Sequence, residues 1–544
     1  MSFFFFFCCV PSSKRILFFN LCSPLLSSPP TPPTFATSAA HHPATRHLRV
    51  ALADASPSPD PSEPLPAVPG LRVSTLTPAS ISALRRAGAW RSGGRRGGDA
   101  DGDGDRPASA SLLDLSTVSE PFHSMQVWDE TGGCVRYGAE DGLRGFGRGL
   151  GLGAGRSRSP SSSPTSTSTS PPLSMGFVAE NEAIVKSLLA SVRASPAPPT
   201  EFFGCGGLEA LSLPRREPSP SSPLPLARLS FASSPSSSSP SPSSSLSAQT
   251  LSARLVVGAD GARSAVRALS GVRNSPWGRD YAASAVVATV RLEREEEEGG
   301  GGESELGGGA GSGEPTNSKR NVAWQRFLST GPLALLPLRD GYWSVVWSTT
   351  PEHARELSEA GAESPERFAA AVDRALRREA VEAEGGAGGG GSAGTARRCS
   401  LPARVLPAPG APAPRAFPLR RASAGAFTLP RLALVGDAAH SVHPLGGQGA
   451  NLGLADAARL AAFLAEAAAR GADAGADAGA LERGYGRPRR AATEAMGLAL
   501  DGLQRVFAPQ RRGAPLARAR AAALRGIDGS GPLRSAIVRY AMGL

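Results

Sequence analysis

Residues 431–464 read RLALVGDAAHSVHPLGGQGANLGLADAARLAAFL, and this stretch decides the fold. The apolar run Leu432–Val435 predicts a short buried strand. A glycine-rich loop follows the strand, and Asn451 is the candidate N-cap of a helix that ends near Arg470. Leu460 and Phe463 then lie on one face of that helix.

The chemistry of this loop favours a ligand that carries hydroxyl groups and negative charge. Its glycines leave no Cβ between the backbone and a molecule above the loop. A helix N-terminus behind the loop favours negative charge on that molecule. Asp437 follows the strand at its carboxyl end, where open α/β sheets bind their ligands. The residues alone leave open the alternative of a tight structural turn.

A second segment, Arg254 to Val272, carries a similar pattern: RLVVGADGARSAVRALSGV. Leu255–Val257 predicts a buried strand, and Ser264 is expected to begin a helix. The two segments resemble, in order and spacing, the DG and GD motifs of the class A flavin monooxygenases, the para-hydroxybenzoate hydroxylase superfamily.

The resemblance implies FAD as the cofactor. It implies that Asp437 binds the ribityl chain and that the loop passes beside the isoalloxazine ring. It also implies that the helix start stabilises negative charge on the reduced flavin, and that Asp260 approaches the pyrophosphate. The FAD-binding residues carried over from the two motifs are Gly258, Asp260, Gly261, Gly436, Asp437, Pro444, Gly446, Gly447, Gln448, Gly449, Ala450 and Asn451.

Two further candidate FAD residues lie nearer the N-terminus. Leu48–Asp54 reads as a strand that ends in an acid, and in dinucleotide-binding folds such an acid binds a ribose hydroxyl. The alternative is that Asp54 is an ordinary loop residue. Arg72 precedes a helix that Ser80 is expected to cap, and the resemblance implies that Arg72 approaches the cofactor. A surface ion pair is the alternative for Arg72.

The N-terminus departs from the family pattern. No G-x-G-x-x-G and no first strand is expected before Leu48, so the loop that would bind the FAD pyrophosphate is missing. Residues 1–53 contain neither Asp nor Glu, as is usual in an organellar transit peptide. We interpret the segment as resembling an organellar transit peptide, with a secretory signal as the alternative. Either a gene-prediction error has removed the true first exon, or the protein binds FAD poorly or not at all.

Composition excludes several other classes of function. The net charge is +11, but the arginines are scattered and are not interleaved with aromatic residues, so nucleic-acid binding is not expected. Attraction to an anionic membrane surface stays open. The six cysteines show no C-x-x-C spacing, so we expect no metal site, no disulfide framework and a reducing compartment.

The predicted fold class is α/β: an FAD-binding dinucleotide fold with an inserted antiparallel-sheet substrate domain and C-terminal helices. Strand patterns between the two motifs, including a hairpin at Arg339–Asp340–Gly341, predict the inserted sheet. The expected divisions are the N-terminal segment 1–47, the FAD-binding regions 48–284 and 430–470, the β-rich substrate domain 285–429 and the helical region 471–544.

NVAWQRFLSTGPLALLPL (321–338) and MGFVAENEAIV (175–185) are similar to the ubiquinone-biosynthesis monooxygenases, a subgroup of this family. The resemblance implies hydroxylation with O2, at ring carbon 5, of a polyprenylated 4-hydroxybenzoate or a related phenol. It implies electrons from a ferredoxin and its reductase, and a coenzyme Q biosynthetic complex. It further implies peripheral contact with the matrix side of the mitochondrial inner membrane. Two alternatives stay open: another class A aromatic hydroxylase, or a non-catalytic, FAD-free member of a coenzyme Q assembly.

No residue is assigned as a catalytic acid or base. His440 and His443 flank the glycine loop, but neither has a carboxylate or a second histidine at a spacing that would tune it. We therefore expect both histidines to be structural.

Overall fold

The protein is described by a computed structural model. The described residues are 3–6, 9–10, 14–19, 31–91, 113–130, 133–139, 141, 174–214, 224–232, 249–293, 322–377, 400–443, 447–506, 526, 530, 531, 535 and 538.

The described residues form strands and helices throughout the chain. The strands are β1 Phe3–Phe6, β2 Cys9–Val10, β3 Lys14–Phe19, β4 Leu48–Asp54, β5 Val73–Leu76, β6 Glu120–Phe122, β7 Ser124–Asp129, β8 Cys134–Gly138, β9 Gly176–Glu180, β10 Thr200–Phe203, β11 Leu208–Ser212, β12 Ala227–Phe231, β13 Gln249–Ala253, β14 Val256–Gly258, β15 Arg279–Leu292, β16 Val322–Leu328, β17 Gly331–Pro337, β18 Tyr342–Thr349, β19 Val405–Pro407, β20 Arg415–Ser423, β21 Thr428–Leu429, β22 Leu432–Leu434 and β23 His440–Ser441. The helices are α1 Thr31–His41, α2 Pro78–Arg86, α3 Leu115–Val118, α4 Asn181–Arg193, α5 Ala265–Leu269, α6 Pro351–Glu363, α7 Pro365–Arg377, α8 Gln448–Ala469, α9 Ala478–Leu481 and α10 Arg487–Val506.

The chain divides into two compact units. The first contains Met1–Ser119, Ala179–Ala285 and Phe417–Val506, and the second contains Glu120–Val178, Val286–Ala416 and Phe507–Leu544. These bounds differ from the expected ones in two respects: residues 417–429 and 471–506 belong to the first unit, and residues 120–178 belong to the second. Residues 120–178 fall in the second unit because β7 pairs in parallel with β16 and antiparallel with β8.

The first unit is built on a mixed sheet with the strand order β2-β3-β4-β1-β14-β22-β21, and β10 pairs with β4. Strands β14 and β22 are parallel, with Val256 opposite Leu432. Because β1 is antiparallel to both β4 and β14, strands β4, β14 and β22 all run in one direction. Their carboxyl ends therefore meet at a single edge of the sheet, and the predicted α/β class is confirmed.

The expectation that no first strand precedes Leu48 is wrong. Strand β3 lies parallel to β4, with Arg15 opposite Leu48, and helix α1 follows it and packs against α4 and α8. The run KRILFF has enough β-forming and apolar residues to pair with β4 in spite of its Ser- and Pro-rich surroundings. The sequence has no glycine before Gly70, so a G-x-G-x-x-G is still lacking.

Apolar side chains of β14, β22 and α8 form the core around this sheet. Leu432, Ala433 and Leu434 are fully buried, as the predicted strand requires. Helix α8 covers them with Leu460 and Phe463, the face expected from the sequence. Full burial of one such side chain contributes roughly 1.5–3 kcal/mol, so this packing fixes the position of the turn that follows β22.

The second unit contains an antiparallel meander of β16, β17 and β18, extended by β7 and β8 and, beyond β18, by the later part of β15. The predicted hairpin is confirmed: a 3-10 turn at Arg339–Gly341 joins β17 to β18. Asp340 and Gly341 both have left-handed backbone angles there, with φ of 59° and 75°. Helices α6 and α7 pack against the sheet through Leu357, Phe368 and neighbouring apolar residues.

The tryptophans of this unit belong to its core. Trp324, Trp343 and Trp347 are buried and pack in one apolar cluster with α6 and α7. Trp128 meets Trp324 edge to face, with ring centroids 6.1 Å apart. Among the described residues of the whole chain, no helix has the length and apolar character needed to cross a bilayer.

Candidate functional site

The turn after β22 is held in a left-handed conformation. Gly436 has a φ of +57°, and a 3-10 turn covers Gly436–Ala438. The peptide N–H of Gly436 donates a 2.9 Å hydrogen bond to Oδ2 of Asp456 on helix α8. Asp437 leaves this turn half-buried at the carboxyl end of the strand, where the sequence predicts the ribityl site.

The turn after β14 uses its carboxylate differently. Asp260 is completely buried. It accepts hydrogen bonds from the Ser264 hydroxyl and, at 2.9 Å, from the peptide N–H of Val266. The carboxylate therefore caps the start of α5, which begins after Ser264 as predicted. Burial raises the pKa of Asp260 above its usual value.

The two turns are neighbours. The peptide N–H of Val435 donates to the carbonyl of Gly258 at 2.9 Å. Arg267 on α5 donates to the carbonyl oxygens of Ala262 and Ala438, both at 2.6 Å. One guanidinium thus joins both turns, which confirms that the two distant motifs fold together.

Both glycines of the turn after β14, Gly258 and Gly261, are required by the structure. A Cβ on Gly258 would lie 2.7 Å from Val266 Cγ1 and 2.8 Å from Leu434 Cδ2, so only glycine allows this close packing. Gly261 has a φ of +74°, in the left-handed region that favours glycine.

Helix α8 begins four residues earlier than predicted. Its N-cap is Gly447, with a φ of +60°, and its first residue is Gln448. Asn451 is therefore not the cap. Its side chain accepts from the Thr77 N–H at 3.1 Å and the Ser80 hydroxyl at 2.6 Å, and donates to the Thr75 carbonyl at 3.0 Å. A buried amide with these partners holds the helix start against the segment that follows Arg72.

The remaining loop residues differ in how closely other groups approach them. A Cβ on Gly447 would lie 2.1 Å from the Thr75 hydroxyl oxygen, whereas the one described residue that a Cβ on Gly449 would meet is Val442, at 4.0 Å. Gln448 is half-buried and Ala450 is buried. Of the predicted residues, Pro444 and Gly446 lie outside the part of the chain that the structure describes.

Arg72 is half-buried just before β5, and its carbonyl accepts the Asn181 N–H at 2.9 Å. The helix after it is capped by Thr77, not by Ser80 as expected. The reason is Pro78, whose fixed φ suits the first helical position and starts the helix earlier.

Asp54 ends β4 at the same sheet edge as the two turns. It is buried, its Oδ1 accepts the Ser56 N–H at 2.5 Å, and its Oδ2 has no partner among the residues that the structure describes. Burial raises the pKa of Asp54 to about 10. A buried carboxyl oxygen without a partner fits a ligand hydroxyl, which can both donate and accept a hydrogen bond, and this is the role predicted for the residue.

His440 has a carboxylate neighbour in space that its spacing in the sequence does not reveal. Its Nε2 lies 2.6 Å from Asp456 Oδ2, and Arg489 donates to the other carboxylate oxygen at 2.6 Å. His443 is also buried and meets Tyr281 edge to face at 4.8 Å. Burial lowers the pKa of His443 to about 4.

Sequence reasoning missed Asp456, Arg267 and Arg489. A signal for Asp456 was present: it precedes Leu460 by four residues and Phe463 by seven, so a carboxylate lies on the buried face of an apolar helix. Arg267 lies in the quoted motif, but its bonds to two backbone carbonyls depend on the tertiary fold. Arg489 meets Asp456 across 33 residues, and no local pattern predicts that.

A cavity of about 600 Å³ opens elsewhere in the first unit, lined by Ser270–Trp277, Ala424–Ala426, Leu429, Arg490 and Glu494. None of the predicted FAD residues lines it. The cavity is therefore not counted with the cofactor site.

Comparison with known proteins agrees with this geometry. Residues 412–495 match the FAD binding domain family. The ubiquinone biosynthesis monooxygenase COQ6 of Drosophila melanogaster is 31% identical over 375 residues, which cover 67% of this chain and 67% of the relative. This chain belongs to the ubiquinone biosynthesis monooxygenase family. Its human member is 34% identical over 300 residues, covering 54% of this chain and 58% of the relative. The match thus spans little more than half of that human protein.

Structural comparison supports the same fold for this family member. The crystal structure of p-nitrophenol 4-monooxygenase PnpA from Pseudomonas putida superposes with a TM-score of 0.58, covering 94% of this chain and 96% of that one at 15% identity. The cofactor of the family domain is FAD. The related COQ6 proteins are named as mitochondrial, and family membership indicates the same compartment here.

Residues of the first unit fit FAD at two places, but no residue is assigned to the third, the FAD pyrophosphate. Asp54 offers an oxygen without a donor, and Gly449 leaves the start of α8 open to close approach. The segment between β3 and α1, where a pyrophosphate loop would fall, contains no glycine and lies outside the described residues.

Proposed function

We propose that this chain is an FAD-dependent monooxygenase that hydroxylates the aromatic ring of a polyprenylated 4-hydroxybenzoate or related phenol, at carbon 5, in ubiquinone biosynthesis. The observation that carries the proposal is the meeting of Asp54 and the two glycine-aspartate turns at one sheet edge. Arg267 bridges the two turns there at 2.6 Å. Relatives that share this domain are named as ubiquinone biosynthesis monooxygenases.

Asp54, Asp437 and the start of helix α8 each have a distinct task in holding the cofactor. Asp54 accepts the hydroxyls of the adenosine ribose through its free oxygen. Asp437 accepts hydroxyls of the ribityl chain. The first turn of the 22-residue helix α8 presents peptide N–H groups, which favour negative charge on the ring system. When bound, the flavin supplies the redox chemistry with O2.

The second unit supplies a surface suited to an apolar substrate. One face of its sheet is covered by α6 and α7. On the other face, Ala334 lies opposite Val346, and both are half-buried, as is Leu336. Partly accessible apolar side chains of this kind would favour a prenylated ring over a small charged phenol.

The partners and the location in the proposal come from the family resemblance. We infer that electrons come from a ferredoxin and its reductase, and that the chain works in a coenzyme Q biosynthetic complex. We further infer peripheral contact with the matrix side of the inner membrane. The net charge of +11 would favour contact with anionic lipids.

The test is turnover by the purified full chain. The protein is supplied with FAD, NADPH, a ferredoxin and its reductase, and a prenylated 4-hydroxybenzoate. Mass spectrometry should then detect a product that carries one added oxygen, with the label when 18O2 is used. The Asp437→Ala variant is expected to lose this product together with its flavin.

Two results would overturn the proposal in different ways. Turnover of unprenylated phenols alone would make the chain another class A aromatic hydroxylase. Absence of flavin absorption after FAD is supplied would favour a non-catalytic member of a coenzyme Q assembly. The lack of any glycine before Gly70 is the observation that favours this second candidate.

A further inference from the structure

We propose that Asp456, supported by Arg489, is a positioning residue that aims Asp437 at the flavin. Asp456 would act through the Gly436 peptide and would not itself touch the cofactor. This inference rests on the proposed function, in which Asp437 binds FAD.

The geometry around Asp456 is closed and specific. The residue has no exposed surface, although it is a carboxylate in the middle of an apolar helix. Its Oδ2 accepts the Gly436 N–H at 2.9 Å and faces His440 Nε2 at 2.6 Å. Its Oδ1 accepts from Arg489 Nε at 2.6 Å. Three donors from three parts of the first unit thus converge on one carboxylate.

The bond to Gly436 connects this cluster to the site. It anchors the peptide that immediately precedes Gly436, the residue with a φ of +57°. Rotation about that peptide would swing Asp437 away from the sheet edge, because Asp437 is the next residue along the turn. The hydrogen bond therefore sets the direction in which Asp437 leaves the strand.

Arg489 keeps the carboxylate ionised so that it can accept all three donors. Burial by itself raises the pKa of Asp456, but the charges of His440 and Arg489 and their hydrogen bonds lower it below its usual value. Arg489 also donates to the Leu452 carbonyl at 3.2 Å, which ties α10 to α8. Loss of this arginine would leave a buried carboxylate supported only by His440 and a peptide N–H.

The opposite end of the same strand provides a matched control. At the amino end of β22, Arg431 pairs with Asp473 at 2.7 Å and donates to the carbonyls of Leu224 and Arg254. This pair is also largely buried on its arginine side, and its described contacts do not include the Gly436 turn. It should contribute to stability without directing Asp437.

The experiment compares Asp456→Asn with Asp473→Asn in the full chain. Three quantities are measured: the FAD dissociation constant by quenching of flavin fluorescence, the melting temperature of the apoprotein, and the visible spectrum of bound flavin. Asp456→Asn should weaken FAD binding about tenfold, equivalent to about 1.4 kcal/mol, and alter the spectrum. Asp473→Asn should lower the melting temperature but keep the dissociation constant within about twofold, since it leaves the turn intact.

Arg489→Gln covers the case in which Asp456→Asn does not fold. It keeps the carboxylate and should still weaken FAD binding by about threefold or more, less than the aspartate change. An unchanged FAD dissociation constant in a folded Asp456→Asn or Arg489→Gln variant would overturn the positioning role. So would an equal loss of affinity in Asp473→Asn.

Asp437→Ala separates this failure from failure of the proposed function. If Asp437→Ala weakens FAD binding while Asp456→Asn does not, only the positioning role is lost. If Asp437→Ala leaves FAD binding unchanged, the flavin site itself is wrongly assigned, and the positioning role is overturned with it.

Discussion

Two turns with similar sequences, Gly258 to Gly261 and Gly436–Asp437, use their carboxylates in opposite ways. Asp260 points into the protein and caps α5 through Ser264 and Val266. Asp437 remains half-buried at the edge of the sheet. The first carboxylate builds the scaffold, and the second is placed where a ligand can meet it.

The difference arises from the structural element after each turn. A helix begins soon after Asp260, so its unpaired peptide N–H groups capture the nearest carboxylate. After Asp437 the chain instead forms β23, and the helix start is delayed to Gln448. An aspartate in a glycine turn is therefore more available to a ligand when no helix start lies within one turn of it.

The largest expected effect is on stability, from removal of the capping carboxylate. Asp260→Ala should lower the free energy of unfolding of the apoprotein by about 2–4 kcal/mol, since a cap and two buried partners are lost. Asp437→Ala should lower it by less than Asp260→Ala does, because Asp437 is only half-buried whereas Asp260 is fully buried. Urea denaturation of both variants measures this, and equal losses would break the comparison.

Substitution of a glycine should affect stability in the first motif and FAD binding in the second. Gly258→Ala should destabilise the protein by about 1–3 kcal/mol, because its new methyl would overlap Val266 and Leu434. In the described part of the chain, the new methyl of Gly449→Ala meets only Val442, at 4.0 Å, so the melting temperature should hold while FAD affinity falls. Thermal melts and FAD titrations check this. A stable Gly258→Ala variant would contradict the packing argument.

Asp54 combines both uses of a carboxylate. Its Oδ1 accepts the Ser56 N–H, whereas its Oδ2 has no hydrogen-bond partner among the described residues. Its pKa is raised from 3.8 to about 10. At pH values between these two, the folded apoprotein therefore keeps a proton that the unfolded chain releases. Apoprotein stability should therefore fall as pH rises. Ribose hydroxyls that donate to Asp54 would favour its ionised form, so FAD binding should release a proton and strengthen with pH.

Calorimetric FAD titrations in buffers of different ionisation enthalpy measure that proton. Asp54→Asn is the control, since it cannot titrate and should abolish the pH dependence. Proton release that persists in Asp54→Asn would assign the effect to another group.

Much of the fold could be predicted from the sequence, and the exceptions have physical causes. The strands at Leu432–Leu434 and Val256–Gly258 and the Ser264 cap depend on local patterns, and each is present. Strand β3 was missed because its Ser- and Pro-rich flanks hid a short apolar run. The start of α8 was misplaced because a left-handed Gly447 caps it in place of Asn451.

The candidate site was less predictable than the fold. Local sequence predicts Asp54, Asp260 and Asp437 alike as cofactor residues, but it cannot show that the Asp260 carboxylate caps the helix that follows it. It also could not reveal that Asp456 gathers Gly436, His440 and Arg489, because those contacts span 16 to 33 residues. Buried polar clusters depend on tertiary packing, and single-sequence patterns carry little information about them.

The central claim is that two neighbouring glycine-aspartate turns hold a single FAD. A crystal structure of the full chain grown with FAD tests it most directly. The account predicts ribityl hydroxyls within hydrogen-bond distance of the Asp437 carboxylate, a ribose hydroxyl on Asp54, and Asp260 still turned inward on Ser264 and Val266. Flavin bound elsewhere, with Asp437 away from it, would contradict the account.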